Sequence, residues 1–243
     1  MPTVSEQKSE IAKQKETIAQ NLSDLQARIK AACQRSSRSE DSIKLTVAVK
    51  TVDASIVRLL YELGVSEIGE NKVQDAEKKQ NALSDLNIHW HMFGHLQRNK
   101  VKKALSIFEL IHSVETDRLA EEISKESIKQ GKRTDILVEA NVSGEDTKYG
   151  LSEAETIPFI KQISPLEGIR ILGLMTMAPI VDDPELCRPV FRGLKRLSDK
   201  VVAEGIKNVE MKYLSMGMTQ DFEVAIEEGA NLLRIGTALF KNI

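Results

Sequence analysis

Leu45-Thr46-Val47-Ala48-Val49-Lys50 is an apolar run of strand length that stops on a charge. Such a run reads as a buried strand when turn or helix signals bound it. A helix follows from about Asp53 to Leu63, with Asp53 placed to cap its first N–H groups. The same strand-then-helix unit then recurs along the chain. Glu67-Ile-Gly69 leads to Glu70-Asn71 and another helix. Ile88 to Phe93, Ile107 to Ile111, Asp135 to Ala140, Ile169 to Leu174, Glu210 to Leu214 and Asn231 to Ile235 bring the runs to eight. Strands that alternate with helices form a parallel sheet. Eight such units fit a closed (β/α)8 TIM barrel, and an open doubly wound sheet is the alternative. Val49-Lys50-Thr51-Val52 lacks the glycines that let a dinucleotide pyrophosphate approach a first strand.

Upstream, residues 5–35 read as one long helix, since Ile11, Ile18, Leu22, Leu25 and Ile29 recur on one face. No linker or change of composition divides the chain. One domain over residues 1–243 is expected, with residues 1–40 as a helix packed on or beside the barrel. A length of 243 residues suits this, because a barrel typically takes ~250 residues. The net charge of -2 gives no reason to expect nucleic acid or an anionic membrane as partner. No apolar run approaches the roughly 18 residues of a membrane span, and no signal peptide is visible. Cys33 and Cys187 stand far apart and outside any metal-ligand spacing, so idle thiols in a reducing, intracellular compartment are expected.

In a TIM barrel the active face is the C-terminal end of the strands. Lys50, Asn71, His91 or His95, His112, Ser113, Asn141, Ser143, Thr176, Ser215, Arg234, Gly236 and Thr237 stand there. Strand ends run into loops, and loops are polar in any case. Lys50 is harder to dismiss, because it directly continues an apolar run. A lysine there is either solvated or a Schiff-base amine, and desolvation would lower its pKa toward the nucleophilic neutral form. Barrels frequently hold phosphate on the loops after strands 7 and 8. Here those loops are Ser215-Met-Gly-Met-Thr-Gln-Asp221 and Ile235-Gly-Thr-Ala238, with glycines for close approach and hydroxyls as donors. Arg234 alternates with Leu233 and Ile235, so it faces the other side of the sheet. His89-Trp-His-Met-Phe-Gly-His95 carries three histidines without an accompanying carboxylate or cysteine cluster, and no metal site is expected. His89 and His91 instead alternate with Trp90 and Met92 across the sheet.

Five stretches together resemble the pyridoxal-phosphate homeostasis protein family, itself similar to the barrel half of alanine racemase. They are Val47-Ala-Val-Lys-Thr51; Ile68-Gly-Glu-Asn71 with Val73-Gln74; His89 to Lys100; Gly173-Leu-Met-Thr-Met-Ala-Pro179; and Leu214 to Asp221 with Val224-Ala-Ile226 and Arg234-Ile-Gly-Thr-Ala238. They run in family order from about residue 45 onward. The resemblance implies that Lys50 binds pyridoxal 5′-phosphate (PLP) as an internal aldimine. It implies that Arg234 meets the pyridine nitrogen, and that Ser215, Gly236 and Thr237 hold the phosphate. Asn71, Met216 and His91 would complete the cofactor surroundings. A guanidinium donates but does not titrate, so the ring nitrogen beside it stays unprotonated and the ring is a poor electron sink. One local departure is Lys148-Tyr-Gly150, which has no proline until Pro158.

The resemblance implies a cytoplasmic protein of PLP (vitamin B6) homeostasis, with a mitochondrial pool as a variant. It would pass PLP to apo forms of PLP-dependent enzymes and exist as a monomer or weak homodimer. The alternative is a weak PLP-dependent amino-acid racemase or lyase. A racemase needs a second proton carrier on the far face of the cofactor, which alanine racemase completes with a further β domain. The sequence reaches Ile243 directly after its eighth unit, so no C-terminal β domain is expected. Tyr61 and Tyr213 read as packing residues, and Tyr149 sits in a polar loop. A phosphate-sugar enzyme on the same barrel is a third, weaker reading.

Overall fold

The computed structural model describes residues 4–145 and 149–243. Its core is a closed barrel of parallel strands in the order β1-β2-β3-β4-β5-β6-β7-β8. The strands are β1 (Lys44–Ala48), β2 (Glu67–Glu70), β3 (His89–Met92), β4 (Leu110–Val114), β5 (Thr134–Glu139), β6 (Ile169–Met175), β7 (Val209–Ser215) and β8 (Leu232–Ile235). Between and around them run α1 (Val4–Arg35), α2 (Ala54–Glu62), α3 (Val73–Ala82), α4 (Val101–Ala104), α5 (Asp117–Lys129), α6 (Glu153–Ile163), α7 (Arg188–Ala203) and α8 (Phe222–Glu227). The ring closes where β1 pairs with β8, which sets Thr46 beside Arg234 and Val47 beside Ile235. Asp53 caps α2 as expected, accepting from the N–H groups of Ser55 and Ile56.

The fourth strand corrects the sequence reading, which set it at Ile107 to Ile111. Ile107 and Phe108 donate their N–H groups to the Ala104 carbonyl and so close the end of α4. Both are buried, and an apolar residue in a buried turn looks like strand in a sequence. The stripe of α1 is also shorter than expected. Ile18, Leu22, Leu25 and Ile29 are buried, whereas Ile11 is exposed. The packed part of α1 lies along α8. Arg28 and Arg35 pair with Glu223, and Arg35 also reaches Glu227. Asn21 Nδ2 donates to the carbonyls of Leu239 and Lys241. Among the described residues no helix is long and apolar enough to cross a membrane.

Alternation along each strand divides outer from inner residues. Val47, Ile68, Trp90, Met92, Ile111, Ile136, Leu233 and Ile235 join the large core beneath the helices. Leu110, Leu137, Leu172, Met175 and Leu232 form a second, separate cluster with Tyr213 against it. His112, Glu139 and Arg234 lie two residues beyond Leu110, Leu137 and Leu232, hence on the same inward face. Gly173 lies where β6 meets β7. Its φ of 151° suits glycine, and a Cβ there would stand 1.9 Å from the Tyr213 carbonyl oxygen. The interior is therefore apolar on one side and polar on the other.

Candidate cofactor site

A cavity of about 330 Å³ opens at the C-terminal end of the strands. Lys50, Arg234, Gly236 and Thr237 line it, together with Ala48, Thr51, Pro179, Ile180, Met218, Thr219, Gln220 and Asp221. The loops after β7 and β8 are tied to each other, since the Ala238 N–H donates to Thr219 Oγ1 at 3.3 Å. Gly236 passes so close to β1 that a Cβ would stand 2.8 Å from the Ala48 carbonyl oxygen. Asp221 shapes the preceding loop by accepting the Met218 N–H at 2.6 Å.

Arg234 is buried at the inner end of this cavity. Its Nη1 donates to Ser215 Oγ at 2.6 Å and its Nη2 to the Thr176 carbonyl at 2.9 Å. Burial lowers its pKa to about 10, opposed by the carboxyls of Glu139 and Asp221. It remains a cation at neutral pH. Glu139 is buried at the end of β5, and its pKa rises to about 7 through desolvation and the nearby Glu115, against the pull of Arg234. Burial also raises the Asp221 carboxyl.

Lys50 itself is exposed. Of the two surroundings left open for this lysine, the structure shows the solvated one. β1 ends at Ala48, and Lys50 stands in the turn beyond it, at the lip of the cavity. The preceding residue is held from behind: Lys79 of α3 donates to the Val49 carbonyl at 2.6 Å and also bonds Glu70. Both members of that ion pair are buried.

The remaining sequence candidates lie elsewhere. Asn71 borders a neighbouring cleft with Lys72, Gln74, His95 and Lys100. Met216 is buried. The Ser215 hydroxyl lies inside the barrel, between Arg234 and His112. His91 is also interior, bonding His112 and Glu67. These two side chains therefore meet Arg234 directly or through others, and are not among the residues lining the cavity. Tyr149 is exposed and stacks on His95, while Lys148 lies outside the described residues. Sequence reasoning missed Glu67, Glu139 and Pro179 as site residues, and had Thr219 to Asp221 only as part of the loop after the seventh strand. Glu67 and Glu139 carried a signal, because each falls on the inward register of its strand.

An amine at the lip and a guanidinium at the inner end, beside a wall that only glycine can form, are groups that suit an anionic ligand carrying a carbonyl. Comparison with known families gives the same class. Residues 16–242 match the family described as alanine racemase, N-terminal domain. The chain is 44% identical over 221 residues to a pyridoxal phosphate homeostasis protein of Aquifex aeolicus, covering 91% of this chain and 96% of the relative. It belongs to the pyridoxal phosphate homeostasis protein family. Among solved structures, an unknown protein from Bifidobacterium adolescentis superposes with a TM-score of 0.89 at 34% identity, covering 93% of this chain and 96% of that one. PipY of Synechococcus elongatus with PLP bound gives a TM-score of 0.80 at 30% identity, covering 92% and 99%.

Proposed function

We propose that this chain binds PLP in the cavity and serves intracellular PLP homeostasis by holding and releasing the cofactor. The observation that carries the reading is the meeting of Lys50, Arg234, Gly236 and Thr237, from opposite ends of the sequence, around one cavity. The PLP held by the Synechococcus relative and the name of the Aquifex relative support the same ligand. When bound, PLP supplies an aldehyde that condenses reversibly with a lysine amine, releasing water.

The protein's own residues do the rest. Lys50 offers its amine at a lip that water reaches, which suits both capture and release. Arg234 presents a fixed cation at the inner end, where it would donate to the ring nitrogen without giving up a proton. Gly236 and Thr237 give the phosphate close backbone approach and a hydroxyl. In this reading the chain passes PLP on to apo enzymes in the cytoplasm, as a monomer or weak homodimer.

The test is uptake of PLP by the purified protein. A yellow absorbance band should appear, borohydride should fix the adduct, and peptide mapping should place it on Lys50. Lys50→Ala should take up none covalently. A colourless protein with no adduct by mass spectrometry overturns the reading. Exchange of the α-proton of alanine or serine in deuterated water, well above that of free PLP, would replace carriage with racemisation.

A further inference from the structure

The polar side of the barrel interior is one continuous chain of side chains. It begins at the N-terminal pole with Lys44 and Glu67, the first residues of β1 and β2, which pair with each other. Glu67 Oε2 meets His91 Nε2 at 2.7 Å. His91 Nδ1 meets His112 Nε2 at 3.0 Å. His112 Nδ1 meets Ser215 Oγ at 2.9 Å, and Ser215 meets Arg234 at 2.6 Å. His112 is on β4 and Ser215 on β7, which are not neighbours in the ring. Their bond therefore crosses the interior. The chain ends at the cavity, on the arginine, and nothing in the proposed chemistry requires its inner members.

Hydrogen-bond capacity gives the chain one direction. Burial pushes the Glu67 carboxyl up, but hydrogen bonds from His91 and Lys44 outweigh it and hold the pKa at about 2. A carboxylate only accepts, so His91 carries its proton on Nε2. Where His91 Nδ1 accepts, His112 must donate from Nε2. Full burial, with the Arg234 cation beside it, presses the His112 pKa well below its ordinary value, so this ring carries a single proton. Its Nδ1 is then an acceptor for the Ser215 proton, and the Ser215 lone pairs are left facing the guanidinium. The reverse arrangement places a doubly protonated His91 against His112. It gives Ser215 two donors and leaves its own proton without an acceptor in the chain.

We infer that His91 and His112 are positioning residues for Arg234, each donating from Nε2 and accepting at Nδ1, passing one hydrogen-bond direction between Glu67 and Ser215. They set which atom of Ser215 faces the arginine and so fix the guanidinium from the far pole of the barrel. The consequence for PLP rests on the function proposed above; the tautomers do not.

The test has two arms. Nitrogen-15 spectra of the imidazoles in PLP-free protein should show both rings protonated on Nε2 alone at neutral pH. Protons on both nitrogens of His91, or an Nδ1–H on His112, overturn the inference whatever PLP does. The second arm follows PLP release and the visible spectrum in His112→Asn and His112→Leu. Asparagine can still accept from Ser215, whereas leucine cannot. Release should quicken by about tenfold in the leucine variant, with a shifted band, and by less in the asparagine variant. Equal release and identical spectra in parent and both variants also overturn it. A parent protein that takes up no PLP sinks the function and leaves the tautomer result standing.

Discussion

Arg234 Nη1 lies 2.6 Å from Ser215 Oγ, a buried bond between side chains of paired strands. Ser215→Ala removes the acceptor and leaves a buried guanidinium N–H unmatched, at a cost of roughly 1–3 kcal/mol. Urea unfolding should show a loss of that size, and PLP affinity should fall by about tenfold if the arginine needs this anchor. A variant as stable and as tight as the parent would show that the bond contributes nothing.

Gly236→Ala tests the wall of the cavity. The new Cβ would meet the Ala48 carbonyl oxygen at 2.8 Å and the Ala48 side chain at 3.3 Å. The loop after β8 must move away from β1, taking Thr237 with it. PLP titration should show at least tenfold weaker binding with only a small change in Tm. Unchanged affinity would argue that the phosphate does not rest there.

Glu139 makes stability depend on pH. Its folded pKa of about 7 stands above the ordinary 4.5, so the native state binds this proton more tightly than the unfolded one. Stability therefore falls as pH rises from about 4.5 to about 7, and the deficit persists above that window. Its size is roughly 3 kcal/mol. Glu139→Gln should be more stable than the parent at pH 8 and nearly equal to it at pH 4, by chemical denaturation at both. Equal gains at both pH values would assign the effect to packing.

Lys79 and Glu70 form a buried pair behind the tip of β1. Lys79→Met strands a carboxylate and frees the Val49 carbonyl next to Lys50. A loss of roughly 3–5 kcal/mol is expected. The double variant Lys79→Met with Glu70→Leu should recover much of it, since well-packed apolar residues often replace a buried pair without loss. Failure of the double variant to recover would show that the Val49 contact carries the stability.

The barrel was legible because inward and outward faces impose a period of two on strands and the helices between them have their own period. Where two elements share apolar character, the pattern fails: Ile107 and Phe108 read as strand but close α4. Lys50, Arg234, Gly236 and Thr237 were legible as strand-end residues and do line one cavity. Whether Lys50 is solvated stayed open in the sequence, since how far a strand continues past its last apolar residue depends on ladder partners remote in sequence. His91 and Ser215 were visible as polar residues near strand ends. Their joining through His112 depends on β4 facing β7 across the barrel, a proximity no local pattern encodes. Pro179 and Thr219 to Asp221 lie in quoted motifs, but loops do not reveal which of their residues turn inward.

The grip of α1 on α8 has a consequence for synthesis. Arg28 and Glu223, which join them, are separated by 195 positions. At ~5–20 residues per second, a ribosome takes roughly 10 to 40 s to cover that distance. Throughout that interval Ile18, Leu22, Leu25 and Ile29 lack α8 as a docking surface, so the nascent chain leaves part of a greasy stripe open to chaperones and to its neighbours on the polysome.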